Sequence, residues 1–186
     1  MIISISGLPG AGKSALAKAL AVKLNWLCYS MGNLRRQTAK DQGLSLAEFN
    51  KLGETDPQTD LTVDEYQQKL GQEQDNFVIE GRTSWHFIPQ SYKIFLTVDP
   101  QIGAQRIWHD LQANDQRNED RDLQSVEDVK VSNQERIASD TKRYDQYFQI
   151  NAYDPANYDF VLDTSRLSLE EMVEKVYRQI VQQLPV

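Results

Sequence analysis

The stretch Gly7-Leu8-Pro9-Gly10-Ala11-Gly12-Lys13-Ser14 fits the pattern G-x-x-x-x-G-K-[ST] at every fixed position, and it constrains the fold more than any other part of the chain. Glycines let the backbone curl so that successive N–H groups point inward at a phosphate, and a following helix adds its positive N-terminal end. Such a loop needs a strand before it and a helix after it. Both are present: Met1-Ile-Ile-Ser-Ile-Ser6 reads as an apolar strand. Ala15 to Leu24 is rich in helix formers, with Leu16, Leu20 and Leu24 on one face. This is a phosphate-binding loop, or P-loop. Residues Gly7, Leu8, Pro9, Gly10, Ala11, Gly12, Lys13, Ser14 and Ala15 are expected to cradle a nucleoside triphosphate. Lys13 is expected to reach its β- and γ-phosphates, and the Ser14 hydroxyl to sit on Mg²⁺.

Composition narrows the ligand. The formal net charge of −7 argues against a long nucleic acid, whose backbone calls for an excess of Lys and Arg. A small anion needs only a few basic groups in one pocket. A length of 186 residues suits one domain, and no apolar run approaches the roughly 20 residues that span a bilayer. The start of the chain lacks the pattern of a signal peptide, so a cytoplasmic protein without a membrane partner is expected. The expected partners are small-molecule substrates, with no nucleic acid, and the chain is expected to be a monomer, although no spacing in it reports oligomeric state. Cys28 is the only cysteine; it excludes an internal disulfide and is expected to be a buried small hydrophobe.

Further along, Trp26 to Ser30 reads as a second strand, leading into a helix from Met31. Ser45-x-x-Glu48 and Thr62-x-x-Glu65 both read as capping boxes, with a turn at Gly53 to Pro57 between them. They predict a pair of short helices over 46–75, read equally well as a small flap over a site or as a surface hairpin. Phe77-Val-Ile-Glu80 is a short apolar run closed by a carboxylate, followed by Gly81-Arg82. Lys93 to Val98 is the clearest later strand, and Asp99-Pro100 suits the start of a helix. Asn114 to Asp122, with Arg117 and Arg121, reads as a mobile polar loop. Ser125 opens a long helix to about Phe148, on which Arg136, Asp140 and Arg143 share one stripe. Phe160 to Asp163 is the last strand, and Ser168 caps a last helix with an apolar stripe from Met172 to Leu184. Strands alternating with helices predict an α/β, three-layer fold around a central parallel sheet.

A P-loop alone does not separate a GTPase, a motor ATPase and a small-molecule kinase. The Asn-Lys-x-Asp segment that reads guanine is absent, as is the apolar strand ending in Asp-Glu of the motors. A kinase must meet the charge on the transferring oxygens with several cations and exclude water during transfer. Arg35, Arg82, Arg117, Arg121, Arg136 and Arg143 are spread over segments able to do so. A nucleotide-sensing protein would keep the loop and have no use for these arginines.

The sequence also resembles the nucleoside monophosphate kinases, and most of all the compact form of cytidylate kinase. The likeness runs through Ile3 to Ser14, Ser30-Met-Gly-Asn-Leu-Arg35, Val78-Ile-Glu-Gly-Arg82, Lys93-Ile-Phe-Leu, Glu135-Arg136, Asp140, Arg143-Tyr144 and Tyr158 to Ser165. It implies transfer of a phosphoryl group from Mg²⁺-bound ATP to CMP or dCMP. It also implies a helical monophosphate-binding flap near 31–75 and a mobile lid near 110–145. Ser30, Arg35, Gly81 and Arg82 would then face the acceptor, with Arg35 and Arg82 on its α-phosphate. Arg136 and Arg143 would reach the phosphates in flight alongside Lys13, and Asp140 would orient them or help hold the cytosine side. Gly103 stands where the family often has an arginine, which leaves Arg106, one turn on, as a candidate. Another small acceptor, AMP or a non-nucleotide metabolite, is the alternative. His86 and His109 are expected to be surface or core-edge residues rather than general bases. Trp85, close to Arg82, is either a packing residue or a wall of the acceptor pocket.

Overall fold

The computed structural model describes residues 1–113 and 123–183. Strand β1 (Ile2–Gly7) runs through the glycine loop into α1 (Lys13–Leu24), and β2 (Leu27–Ser30) follows. Three helices come next: α2 (Met31–Asp41), α3 (Leu46–Gly53) and α4 (Gln58–Glu73). Then come β3 (Phe77–Glu80), a single turn α5 (Ser84–Phe87), β4 (Tyr92–Thr97) and α6 (Pro100–Ala113). The long α7 (Val126–Phe148) leads through a 3-10 turn at Pro155–Asn157 to β5 (Phe160–Asp163) and α8 (Leu169–Val181).

The described strands form one sheet in the order β2-β3-β1-β4-β5, with every neighbouring pair parallel. Parallel strands need crossover helices, and these cover both faces. On one face Ile3, Ile5, Val78, Ile94 and Leu96 pack against Leu16 and Leu20 of α1 and Met172, Val176 and Ile180 of α8. On the other, Ile2, Phe77 and Ile79 meet Met31, Val63, Leu70 and Ile88. Each such aliphatic side chain stabilises the fold by roughly 1.5–3 kcal/mol relative to exposure. Because the chain crosses from β1 outward to β2 in one direction and from β3 to β4 in the other, the ends of β1 and β3 flank the crevice where open α/β sheets bind ligands.

Most helix starts follow local chemistry. Ser45 and Ser168 form full capping boxes with Glu48 and Glu171, and Ser125 accepts a bond from the Asp128 amide. Asp99 Oδ1 accepts from the amides of Gln101 and Ile102 and so starts α6. The pattern at Thr62 starts nothing: it lies inside α4, which begins four residues earlier, where Asp56 Oδ1 accepts from the Gln58 amide beside Pro57. A second expectation also fails. Cys28 is exposed, because β2 is an outer strand with β3 as its one partner. The polar stretch Asn114 to Asp122, with Arg117 and Arg121, lies outside the described residues, as does Leu184. Among the described residues no helix is long and apolar enough to cross a membrane.

Candidate active site

The P-loop geometry follows from its glycines. Gly10 and Gly12 have φ of 75° and 85°, in the left-handed region that L side chains rarely adopt. A Cβ on Gly10 would lie 2.2 Å from the carbonyl oxygen of Gly103, and one on Gly103 would lie 2.8 Å from that of Pro9. The start of α6 therefore presses directly on the loop, which is why Gly103 cannot carry a long side chain. Arg106, one turn on, reaches the same place: its Nη1 and Nη2 bond Gly10 O and Thr164 O at 3.5 and 2.8 Å.

Lys13 donates to the carbonyls of Gly7 and Leu8 at 3.0 and 2.8 Å. Burial, reinforced by the charge of Arg82, pushes its ammonium down to about 7. Ser14 Oγ donates to Glu80 Oε1 at 3.0 Å, and Ser30 Oγ bonds the same oxygen. Glu80, at the end of β3, is buried.

Lys13, Ser14, Arg36, Glu80, Arg82, Arg106 and Arg136 line a cavity of about 300 Å³ together with Pro9, Gly10, Gly12 and Ala15 of the loop. Five cationic side chains converge here in a chain whose net charge is −7. Glu80 and Asp110 also line the cavity and Asp140 pairs with Arg82, so the positive charge is partly balanced within the protein, and the excess of cations suits an anionic ligand. Gly7, Leu8 and Ala11 shape the loop without lining this cavity.

The remaining expected residues fall into two groups. Arg82 Nε pairs with Asp140 Oδ2 at 2.6 Å and donates to the hydroxyl of Tyr153 at 2.7 Å, and that hydroxyl also bonds Asp140 Oδ2. Arg143, with no exposed surface, spans Asp140 at 2.5 Å and Asp60. Asp60 also pairs with Arg35, whose Nε donates to Asn50 at 2.8 Å. The result is a buried chain of alternating charge from α2 through α4 and α7 to the phosphate cavity. Although burial opposes it, Arg82 and Arg143 hold the Asp140 carboxyl down at about 2.

Arg35 thus points into the α2–α4 segment, and Arg36 faces the loop. On α2, Arg36 lies one turn beyond Gly32, and a Cβ at Gly32 would come within 3.2 Å of its guanidinium, so the missing side chain makes the space. Gly81 is a packing position: a Cβ there would meet Ser84 Oγ at 2.4 Å and Met31 at 3.0 Å. Trp85 packs on the ring of Tyr158 and does not line the cavity. His86 lies among Trp85, Phe87 and Phe148, where burial lowers its pKa; His109 is exposed on α6. Neither histidine lines the phosphate cavity. Sequence reasoning left Glu80, Arg36, Asp60 and Tyr153 without roles. Glu80 was signalled by its strand-end position and Arg36 by its spacing from Gly32; nothing local marked the other two.

A parallel sheet whose P-loop opens on a pocket of convergent guanidiniums defines a P-loop kinase. The chain belongs to the cytidylate kinase-like family, whose model matches residues 2–166. A cytidylate kinase of Methanosphaerula palustris is 36% identical over 174 residues, which span 92% of this chain and 93% of that protein. The cytidylate kinase of Methanocella arvoryzae is 32% identical over 180 residues, 97% of each chain. Among solved structures, a shikimate kinase from Bacteroides thetaiotaomicron superposes with a TM-score of 0.65 over 99% of both chains at 16% identity. An uncharacterized protein from Eubacterium ventriosum gives 0.69 over 97% of this chain and 98% of its own, at 18% identity. At such identities the likeness establishes the fold alone.

Proposed function

We propose that the protein transfers the γ-phosphoryl group of ATP to CMP or dCMP, giving ADP and CDP or dCDP. The observation that carries this reading is the meeting of Lys13, Arg36, Arg82, Arg106 and Arg136 around the P-loop of a chain that matches cytidylate kinases over almost its whole length.

In this reading the loop amides and Lys13 hold the β- and γ-phosphates of ATP, and Lys13 exchanges its two carbonyl partners for phosphate oxygens. Arg106 braces the loop from the α6 side. Arg36 and Arg82 hold the acceptor's α-phosphate, with Asp140 and Tyr153 fixing the plane of the Arg82 guanidinium. An oxygen of that phosphate attacks the γ-phosphorus in line as the bond to the β–γ bridging oxygen breaks, and ADP departs. Arg136 meets the charge spread over the transferring oxygens. The nucleophile is a phosphate oxygen already ionised near neutral pH, so no general base is needed, in keeping with histidines that lie outside the cavity.

Ser14 and Glu80 fit Mg²⁺: a hydroxyl and a carboxylate, both hard oxygen donors, lie 3.0 Å apart at the edge of the cavity. Ser14 would ligate the ion and Glu80 would hold a ligated water. When bound, Mg²⁺ neutralises charge on the β- and γ-phosphates. Arg35 and Arg143 act as positioning residues, since both guanidiniums are enclosed. Residues 31–75 form the acceptor flap of one kinase domain, and of the lid expected near 110–145 the described part is the end of α6 and α7 as far as 145. Following the ³¹P signals of ATP, CMP, ADP and CDP in one mixture tests the reading. ADP and CDP must appear together in equal amounts, and only with Lys13 intact; ADP without CDP would reduce the protein to an ATPase.

A further inference from the structure

Helix α4 buries a polar face. Asp60, Asp64 and Gln67 fall at i, i+4 and i+7 and are 6%, 8% and 0% exposed. A helix normally turns apolar side chains inward, because an enclosed polar group costs stability unless it is bonded. Apolar anchors are present in the same helix, Val63 and Leu70, so the polar stripe is an addition to the packing rather than a substitute for it.

The stripe meets the residues that follow Arg82. Gln67 Nε2 donates to Thr83 Oγ1 and to Asp64 Oδ1, each at 3.3 Å, and Ser84 Oγ donates to Gln67 Oε1 at 2.6 Å. At its other end Asp60 holds Arg35 and Arg143. Among the described residues Arg35 Nη2 and Arg143 Nε have no acceptor although both residues are more than nine-tenths buried, so the charge network at this end of the stripe keeps unused donors. Thr83 and Ser84 directly follow Arg82, which lines the phosphate cavity, so the stripe adjoins the segment next to the residue proposed to hold the acceptor's phosphate.

Resting on the proposed transfer to CMP, we propose that Asp64 and Gln67 read the acceptor's base. The Asp64 carboxylate accepts from the exocyclic amino group of cytosine, and the Gln67 carboxamide orients that carboxylate. The ring takes over the bonds that Gln67, Thr83 and Ser84 make with one another. Uracil presents a carbonyl oxygen where cytosine presents the amine, so the carboxylate would face lone pairs with no proton between them. Buried polar groups left unpaired by the wrong ligand are an effective basis for rejecting a near-isostere. Burial and the charge of Asp60 push the Asp64 carboxyl up to about 8, against Arg35 and Arg143, and a donated amino proton favours its ionised form.

The test is kcat/KM for CMP and for UMP at about pH 9, above the point where the carboxyl group loses its proton, in the wild type, Asp64→Asn and Gln67→Met. The Asn amide offers a proton to the uracil oxygen, so Asp64→Asn should lower the CMP-to-UMP ratio by about tenfold or more, and Gln67→Met by severalfold. A merely structural role would depress both substrates together. Ratios within about twofold of wild type, in variants whose circular dichroism and melting show them folded, would overturn the inference. Should Asp64→Asn not fold, Gln67→Met decides by the same criterion. A wild type that prefers CMP while the ratio survives in the variants sinks this inference alone. A wild type that does not phosphorylate CMP sinks the proposed function and this inference with it.

Discussion

Ser14 Oγ donates to Glu80 Oε1 across 3.0 Å, joining the last fixed residue of the P-loop to the end of β3. The same carboxylate oxygen bonds Ser30, at the end of β2, so one buried side chain ties three elements around the cavity. The ends of two parallel strands and the first turn of α1 thus share one acceptor, which fixes the position of Ser14 and Glu80 relative to each other.

Glu80→Gln keeps the shape and an acceptor oxygen while removing the charge. The variant should fold normally, lose about 10–100-fold in kcat, and need more Mg²⁺ for half-maximal rate, as losing the partner of a metal ligand does elsewhere. A Mg²⁺ titration of the rate checks this; an unchanged Mg²⁺ requirement would remove Glu80 from the metal site.

Arg35 and Arg36 are adjacent and should behave oppositely. Arg36→Ala is expected to raise the acceptor KM by about tenfold or more, the loss of roughly one charge-assisted bond, with little change in melting temperature. Arg35→Ala leaves Asp60 with Arg143 alone and should cost about 3 kcal/mol, the low end for a broken buried pair, or roughly 6–12 °C in Tm. Thermal melts beside acceptor titrations separate the two; equal Tm losses would contradict the assignment.

Lys13 sets a pH dependence. Its pKa is depressed from 10.5 to about 7, and the charged form is the one that holds phosphate. Nucleotide affinity should therefore fall as pH rises through about 7. Above that pH, binding should take up a proton, because a phosphate beside the amine restores its charge. Calorimetric titration at about pH 8 in two buffers of different ionisation enthalpy measures the uptake. Binding without proton uptake would show that Lys13 is already charged.

Arg136→Ala should lower kcat by about 100-fold or more while leaving ATP binding nearly unchanged, since its contribution belongs to the transition state. A parallel loss of ATP affinity would place this side chain on the ground-state triphosphate.

Much of the architecture was readable because its signals are local. The P-loop, its strand and helix, and the starts at Ser45, Ser125, Asp99 and Ser168 all depend on residues within a few positions of one another. Thr62 misled because a capping pattern recurs inside helices that have an earlier start, here at Asp56-Pro57. Cys28 misled because exposure of an apolar strand depends on strand order, which no window of sequence contains. Arg35 and Arg36 are one residue apart and about 100° apart around a helix, so only the way α2 packs, with Gly32 beside Glu80 at the cavity, decides which one faces it. The pair Asp60–Arg143 spans 83 positions and Arg82–Tyr153 spans 71. Charge complementarity at that separation leaves no periodicity to read.

The central claim is tested most directly by measuring ADP formation from Mg·ATP with CMP, dCMP, UMP, AMP and GMP offered singly, alongside Lys13→Ala. The account predicts the highest kcat/KM with CMP or dCMP and loss of that activity in the Lys13 variant. A preference for AMP or GMP, or CMP turnover that survives Lys13→Ala, would contradict it.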